Sequence, residues 1–397
     1  MRIFILLRLS IFMISILVCS VKTVAADWQF GYRGSSEQWS ASNSLFFSES
    51  DDYLHQLAVD FSVEHKGIRG AATARKQWQR NRHNDEIILT ELFVDRSIYD
   101  WDFTVGKKRL DWGVGYSYRP LDIIKSYIQQ PTGVYIEEGA WVVAAEYYTA
   151  TGALTLILAD STTQQETIEP QQKGGGIRYY ALVNDWDLQG LMYFDDIREL
   201  SVGGSAVTVL GDSASVHVSA LWQSQYTQLS HRLNAQQYLY VGDPIYSETE
   251  NGALQLLTGV TYNLENSVSL LAEYWYDERS PDHSQWQSLI DAARQQKVSG
   301  DIYGLLSSER QFFSTHNTVQ HKLLLHIRYD GDGWEPVLDL LTSPQDKGLI
   351  ATARIRYQWM EEHWLELGAR WFAGADNSVF QQLPHEQILF LQIDGTF

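Results

Sequence analysis

Apolar and polar residues alternate along most of the chain beyond residue 26. A period of two is typical of strands whose two faces meet different surroundings. It predicts about 18 strands (16–18), because segments 85–97 and 200–211 alternate less regularly than the others. The predicted segments are 27–34, 53–65, 66–80, 85–97, 100–110, 140–149, 152–160, 174–184, 185–198, 200–211, 213–225, 251–264, 267–278, 318–330, 332–342, 347–359, 361–374 and 385–397. Most of them approach or exceed the roughly 9–11 residues that a tilted strand needs to cross a bilayer.

The two faces of the predicted strands differ in chemistry. Leu323, Leu325 and Ile327 share one face of their strand, and Lys322 and His326 share the other. Similar apolar faces occur in several segments, whereas the opposite faces carry acids and bases. We therefore expect a sheet with one apolar surface and one polar surface.

The connections between the segments alternate between short and long. The short ones are at 149–151, 184–185, 211–212, 265–266, 330–333 and 360–363, and the long ones at 35–52, 111–139, 161–173, 226–250, 279–317 and 375–384. Short turns at one end and long loops at the other are typical of an all-β, transmembrane up-and-down antiparallel β-barrel. Such a barrel has an even strand number when both termini lie on the same side, and a soluble sandwich or propeller has no reason to sort its loops in this way.

The first 26 residues have the features of a secretory signal. Arg2 and Arg8 precede an apolar stretch at 9–21, and small residues come directly before Asp27. This pattern predicts a signal peptide at 1–26 that is cleaved on export. Cys19 is the only cysteine of the chain and would be removed with the signal, so disulfides would not stabilise the exported protein.

The remaining 27–397 segment is predicted to form the barrel, and its last strand ends in Phe397. This aromatic end resembles the last strand of bacterial outer-membrane β-barrels. The resemblance implies that the barrel-assembly machinery is a partner through this strand, and that the protein resides in the outer membrane of a Gram-negative bacterium.

Composition narrows the range of partners. The full chain has 30 Lys and Arg against 49 Asp and Glu. Without the signal the numbers are 27 and 49, a net charge of −22, which argues against nucleic acid as a partner. Aromatic residues make up 13% of the chain although the mean hydropathy is only −0.26, a combination that suits apolar strand faces bordered by aromatic girdles. A soluble carbohydrate-binding β-protein would share this composition, so the strand and loop pattern decides.

Two long connections contain patterns of their own. Segment 284–297 has Trp286, Leu289, Ile290 and Ala293 at helical spacing and predicts a short amphipathic helix in an external loop. This helix is interpreted as a cover packed on the barrel rim or as a receptor site.

The second long connection, 106–139, combines glycine, basic and aromatic residues. Gly106 and Arg109 are followed by Trp112-Gly113 and then by Pro120-Leu121-Asp122, where Pro120 is placed to start a helix.

This order resembles the glycine-basic, Trp-Gly, Asn-Pro-Leu-Asp pattern of outer-membrane porin-like and export barrels, although Lys107-Lys108 and Arg119 depart from it. The resemblance implies a porin-like barrel in which the loop folds inward and narrows the pore. An external loop is the alternative.

The polar strand faces and this loop supply candidate pore residues. We expect pore-lining or constriction roles for Lys108, Arg109, Asp111, Arg119, Asp122, Lys125, Arg328, Arg354, Arg356, Glu366 and Arg370. Arg354, Arg356 and Arg370 lie on two neighbouring strands, which are about 4.8 Å apart in a sheet, and could form a ladder of guanidinium groups. Pairing of these arginines with Glu366 is the alternative interpretation.

Together these features predict an outer-membrane channel for diffusion or export of small polar solutes or a polysaccharide. The alternative is a non-conducting barrel that acts as an adhesin, receptor or assembly partner. An enzyme is not expected, because the hydrolase-like triplet Gly211-Asp212-Ser213 lies in a predicted turn. The histidines show no metal-binding spacing, and no cofactor is expected. Outer-membrane lipid is the expected surrounding, and self-association is compatible with the pattern but not specified by it.

Overall fold

A computed structural model describes residues 26–47, 52–80, 82–126, 132–164, 171–231, 245–299, 310–314 and 317–397. The predicted signal lies outside these residues, apart from Ala26. The strands are β1 (Asp27–Ala41), β2 (Asp52–His65), β3 (Ile68–Gln79), β4 (Arg82–Ile98), β5 (Trp101–Lys108), β6 (Ala140–Thr149), β7 (Gly152–Asp160), β8 (Lys173–Val183), β9 (Trp186–Asp195), β10 (Glu199–Leu210), β11 (Ala214–His231), β12 (Ile245–Asn263), β13 (Val268–Asp277), β14 (His321–Tyr329), β15 (Trp334–Ser343), β16 (Gly348–Met360), β17 (His363–Ala373) and β18 (His385–Thr396). Every predicted segment corresponds to one of them.

The strands form a single closed sheet. Each strand pairs antiparallel with its neighbours in sequence, and β1 also pairs with β18. At this seam Gly31 is opposite Thr396, and the N–H of Phe397 donates to the carbonyl of Phe30 over 2.8 Å. The ring of Phe397 lies 5.1 Å from that of His363. The structure is therefore an 18-stranded up-and-down barrel, as the sequence predicts.

The two ends of the barrel differ in their connections. The end at which β1 begins and β18 ends has short turns, at 66–67, 99–100, 150–151, 184–185, 211–213, 264–267, 330–333 and 361–362. The opposite end has the connections 42–51, 80–81, 109–139, 161–172, 196–198, 232–244, 278–320, 344–347 and 374–384.

The predicted strict alternation of short and long is therefore wrong at 80–81, 196–198 and 344–347. Local chemistry permits these tight turns. Arg80 and Lys347 adopt positive φ, and Asp195 accepts the backbone N–H of Ile197 and Arg198, as Asx turns do.

The two faces of the sheet are divided as predicted. On β14, Leu323 is 41% exposed on the outer face, whereas Lys322 and His326 are buried on the inner face. Apolar side chains are exposed around the whole outer surface, for example Leu158 at 64%. An apolar surface of this extent is unusual for a protein surrounded by water.

Exposed aromatic side chains border the turns. Trp186, Trp334 and Trp359 lie beside short turns and are 43–45% exposed. They occupy the positions of an aromatic girdle, in agreement with the expectation from composition.

The predicted helix in the long connection after β13 is present as α1 (His283–Ser299). Short 3-10 helices span Arg310–Ser314 and Phe380–Gln382. Within the described part of the chain, no helix is both long and apolar enough to cross a membrane.

One face of α1 is buried in a cluster that we call the mouth cluster. Its members are Phe46, Ile245, Trp286, Leu289, Ile290, Ala292, Ala293, Phe312, Val319, Ile350, Val379 and Phe380. Ile245 and Ile350 belong to wall strands, and the wall residues Leu341 and Phe372 pack against the cluster. The helix therefore sits against the inner wall at the mouth of the loop end. This arrangement agrees with a packed cover.

Candidate functional site

The connection 109–139, which we call the inner loop, lies against the inner wall of the barrel. The carbonyl of Trp112 accepts a hydrogen bond of 2.9 Å from the Gln189 amide on β9. The Tyr118 hydroxyl bonds to Gln255 on β12 and Asp277 on β13, at 2.7 and 3.0 Å. The ring of Tyr116 lies 4.7 Å from that of His326 on β14. The first limb of the loop thus follows the wall from β9 to β14.

Apolar packing holds this limb in place. Leu121, Ile123 and Ile124 are 0%, 3% and 4% exposed. They pack with Trp112 and with inward side chains of the wall, namely Ala140, Val142, Ile157, Ala159, Leu191, Tyr193 and Leu221. The inward fold of the loop therefore follows from burial of apolar side chains on both sides.

The Trp-Gly and Pro-Leu-Asp residues brace the loop internally. Asp122 Oδ1 accepts the backbone N–H groups of Trp112 and Gly113 at 2.7 and 2.6 Å. A Cβ at Gly113 would lie 2.3 Å from Cβ of Arg119, so a side chain there would push the two segments apart. Arg119 in turn pairs with Asp111. Burial raises the pKa of Asp122 to about 6, against the opposing effect of the two N–H donors and Arg119.

The helix predicted after Pro120 is wrong for residues 120–126, which form a turn and irregular backbone; residues 127–131 lie outside the described part. Asp122 uses its carboxylate for the N–H groups of Trp112 and Gly113 rather than for a helix start. Leu121, Ile123 and Ile124 are all buried, which one face of an exposed helix would not allow.

The returning limb of the inner loop contacts a different part of the wall. Gln56 on β2 accepts the backbone N–H of Val134 at 2.8 Å. Arg33 on β1 donates to the carbonyl of Tyr135 at 2.5 Å, and Arg75 on β3 donates to the carbonyl of Val134 at 3.2 Å. The inner loop therefore crosses the interior, from the wall at β12–β14 to the wall at β1–β3.

Two lysines lie near carboxylates at the base of the loop, and Lys107 is the buried one of the two. Lys107 and Glu138 form an ion pair whose side chains are 4% and 2% exposed. Burial lowers the pKa of Lys125 to about 8, partly opposed by Glu138. The Lys107–Glu138 pair fastens the returning limb of the loop to β5.

A cavity of about 550 Å³ remains between the returning limb and the wall. Its lining includes Arg33, Arg69, Arg109 and Arg356 together with Asp60, Glu137 and Asp394. Most of these charges are paired across short distances: Arg33–Asp60 at 2.7 Å, Arg356–Asp394 at 3.0 Å and Arg109–Glu137 at 3.9 Å. The cavity thus presents hydrogen-bond donors and acceptors side by side, with little net charge.

Solved structures with a similar fold include OccAB1 and variants of a bacterial porin. OccAB1 of Acinetobacter baumannii aligns with a TM-score of 0.57 and 8% identity, over 94% of this chain and 96% of that chain. The fold is porin-like. Variants of the Rhodopseudomonas blastica porin align at 10% identity over 94% of this chain and all of that chain, with TM-scores of only 0.44 and 0.45. No protein-family model and no curated protein matches the sequence.

The predicted arginine group lies on the inner face of this porin-like barrel. Arg354 pairs with Asp339 at 3.4 Å and Arg356 with Asp394 at 3.0 Å. The guanidinium of Arg370 lies 5.3 Å from the ring of Phe372.

The alternative interpretation pairs these arginines with Glu366, which lies near enough to feel the charges of Arg354 and Arg356. Arg356 faces Glu366 in the strand register, and its guanidinium forms an ion pair of 3.0 Å with Asp394 on β18.

The other predicted residues are dispersed. Lys108 pairs with Asp95 at 3.0 Å on the neighbouring strand. Arg328 lies 3.8 Å from Asp330 in the turn after β14, at the end of the barrel where the turns are short. The structure therefore brings Asp111, Arg119 and Asp122 together in the inner loop. Arg109 lines the cavity instead, and Arg328 lies apart from both.

Sequence reasoning missed two interior residues, His217 and Asp339. His217 bonds to Glu273 at 2.9 Å, and Asp339 contacts both His326 and Arg354. The alternation with outward Val216 and Val218 already places His217 on the inner face. Within the described residues, no group of three or more His, Cys, Asp or Glu side chains is arranged to hold a metal ion.

Proposed function

We propose that the protein is a channel of the bacterial outer membrane that passes small polar solutes. The observation that carries this proposal is the division of the sheet: apolar side chains are exposed around the outer face, and charged side chains line a cavity inside. A barrel with this division satisfies its backbone hydrogen bonds in lipid and keeps a polar interior. The porin-like fold supports the same role.

Solutes that carry hydroxyl groups or both signs of charge fit the cavity best. Its volume of about 550 Å³ falls within the range of small-molecule sites. Paired Arg and Asp side chains offer donors and acceptors at fixed positions, which suits a small zwitterion or polyol. The inner loop crosses the interior, and this favours small solutes over a polysaccharide.

The mouth cluster favours a second candidate, a barrel that does not conduct and instead presents its loops to a partner. Trp286, Leu289 and Ile290 are at most 2% exposed, so α1 is packed as firmly as a protein core. If the barrel conducts, α1 must therefore move, or solutes must pass through a gap beside it.

Single-channel recording in planar bilayers separates the two candidates. Purified protein with residues 27–397 should give discrete conductance steps whose size depends on salt. It should also fractionate with the outer membrane and migrate differently on gels before and after heating. A soluble periplasmic species would contradict the membrane location, and a folded barrel with no conductance at any voltage would support the non-conducting alternative.

A further inference from the structure

Glu273 on β13 holds the tip of the inner loop to the wall. Its side chain is fully buried. Oε1 accepts the backbone N–H of Tyr116 at 2.6 Å, and Oε2 accepts that of Ser117 at 2.9 Å. A carboxylate is suited to this task because its two oxygens accept two successive N–H groups at once, and hydrogen bonds to a charged acceptor are about twice as strong as neutral ones.

The wall supplies Glu273 with a further donor. Nε2 of His217 on β11 lies 2.9 Å from Oε1, although β12 runs between the two strands. Gly259 on β12 is paired with both His217 and Glu273. A Cβ at Gly259 would lie 2.2 Å from Nε2 of His217, so only glycine lets the imidazole reach across the middle strand.

Burying a carboxylate is costly unless donors surround it. Three nitrogen atoms surround the carboxylate of Glu273: the backbone N–H groups of Tyr116 and Ser117 come from the loop, and Nε2 of His217 comes from β11. The contact also lies where the loop turns: a Cβ at Gly115 would come 1.9 Å from the carbonyl of Tyr118, so the backbone is tightly bent beside the wall.

We propose that Glu273 is the positioning residue that sets the width of the lumen by fixing the inner loop at Tyr116 and Ser117. His217 and Gly259 hold its carboxylate in the required orientation. This inference rests on the proposed channel function, because a lumen width has meaning only for a conducting barrel. Glu273 itself is buried behind the loop and acts on solutes through it.

Two substitutions test the contact from its two sides. Glu273→Gln keeps the shape of the side chain but turns an amide N–H₂ towards a backbone donor. Ser117→Pro removes one of the two loop N–H groups, that of Ser117, and leaves the wall unchanged, whereas Ser117→Ala keeps that N–H. Glu146→Gln is a matched control: it removes the same charge from the inner face, at a residue bonded to Thr155 and Tyr148 of the wall.

Hydrogen exchange reads the contact directly. In Glu273→Gln the N–H groups of Tyr116 and Ser117 should exchange about tenfold faster than in the wild type, as expected for loss of a charge-assisted hydrogen bond. Single-channel conductance should rise in Glu273→Gln and Ser117→Pro, and the double variant should resemble either single one, because both break the same contact. Ser117→Ala and Glu146→Gln should behave as the wild type does.

The outcomes are distinguishable. Unchanged conductance in both Glu273→Gln and Ser117→Pro would overturn the proposal, whatever the exchange rates. If Glu273→Gln does not fold, Ser117→Pro decides alone, since it leaves the wall intact. A wild-type barrel without conductance, together with accelerated exchange in Glu273→Gln, would overturn the channel function while the attachment of the loop still stands.

Discussion

Two individual carboxylates fix the position of the inner loop inside the barrel. Asp122 and Glu273 each accept two backbone N–H groups of the inner loop. Asp122 ties the loop to itself, and Glu273 ties it to the wall. The loop therefore depends on a few charged side chains as well as on apolar burial.

Asp122 should make the docking of the inner loop dependent on pH. Its pKa of about 6 is above the ordinary value of about 3.9, so the docked loop binds the proton more tightly than an undocked one. This contribution is fully present below about pH 4 and is lost as the pH rises through about 6; a difference of about two units corresponds to about 3 kcal/mol. Single-channel current noise should increase over this range in the wild type.

Asp122→Asn removes the titration and keeps an oxygen that accepts both N–H groups, so its noise should be flat between pH 4 and 7. Asp122→Ala loses the acceptor and should be noisy at every pH. A pH dependence of the same size in Asp122→Asn would assign the effect to another group.

Elements differ in how far they follow from the sequence. The strands were predictable because period-two alternation is a local property, and α1 because Trp286, Leu289, Ile290 and Ala293 repeat at helical spacing. The path of the inner loop is not local: Tyr116 bonds to a residue 157 positions later. The sequence pattern shows that the loop is unusual, but only the folded barrel shows where the loop turns.

The same reasoning applies to the candidate site. The Trp-Gly and Pro-Leu-Asp residues stand out in the sequence, but their role as an internal brace depends on the fold of the loop. Asp339 was missed because its partners His326 and Arg354 lie on the two strands beside its own. Predicting an ion pair between neighbouring strands requires knowing which residues of the strands are opposite each other, and the alternation of apolar and polar residues does not show this.

The position of α1 in the mouth can be tested by cross-linking. Gln287 of α1 and Asn377 of the connection after β17 exchange hydrogen bonds of 3.3 and 3.2 Å. Cysteines at both positions, joined by a short reducible linker, should hold the helix in place. The predicted exported chain has no other cysteine.

If the helix must move for solutes to pass, the linked protein should show lower conductance or fewer openings than the same protein after reduction. Each single-cysteine variant treated with the linker serves as the control. Equal conductance in the linked and reduced states would mean that solutes pass beside a stationary helix.

At the scale of the whole molecule, the overall charge differs from the charge balance on the inner face. The chain is strongly acidic, with 49 Asp and Glu against 30 Lys and Arg, yet the arginines of β16 meet acids one for one on the inner face. Removing such arginines exposes unbalanced carboxylates to the lumen. Wall charge within a Debye length of about 8 Å dominates the potential of a narrow pore at physiological salt.

Replacing Arg354 and Arg356 with Glu should therefore shift the reversal potential in a salt gradient towards cation preference. The shift should become smaller at high salt because screening shortens the reach of the wall charge. Leu325→Ile, on the outer face, should leave the reversal potential unchanged.

Substitutions at Arg109, Asp111 or Arg119 could instead change the reversal potential while those at Arg354 and Arg356 do not. That result would show that the inner loop, and not the wall at β16, controls selectivity. The pairs with Asp339 and Asp394 would then serve stability alone.

The seam between β1 and β18 affects how the chain can fold. It joins Gly31 to Thr396, residues from opposite ends of the sequence, so the sheet keeps two open edges until the last strand has been synthesised. Open edges recruit other strands and promote aggregation, and pairing between such distant residues is intrinsically slow. The unclosed chain is thus the species most prone to aggregate, and the yield of barrel depends on how soon the seam forms.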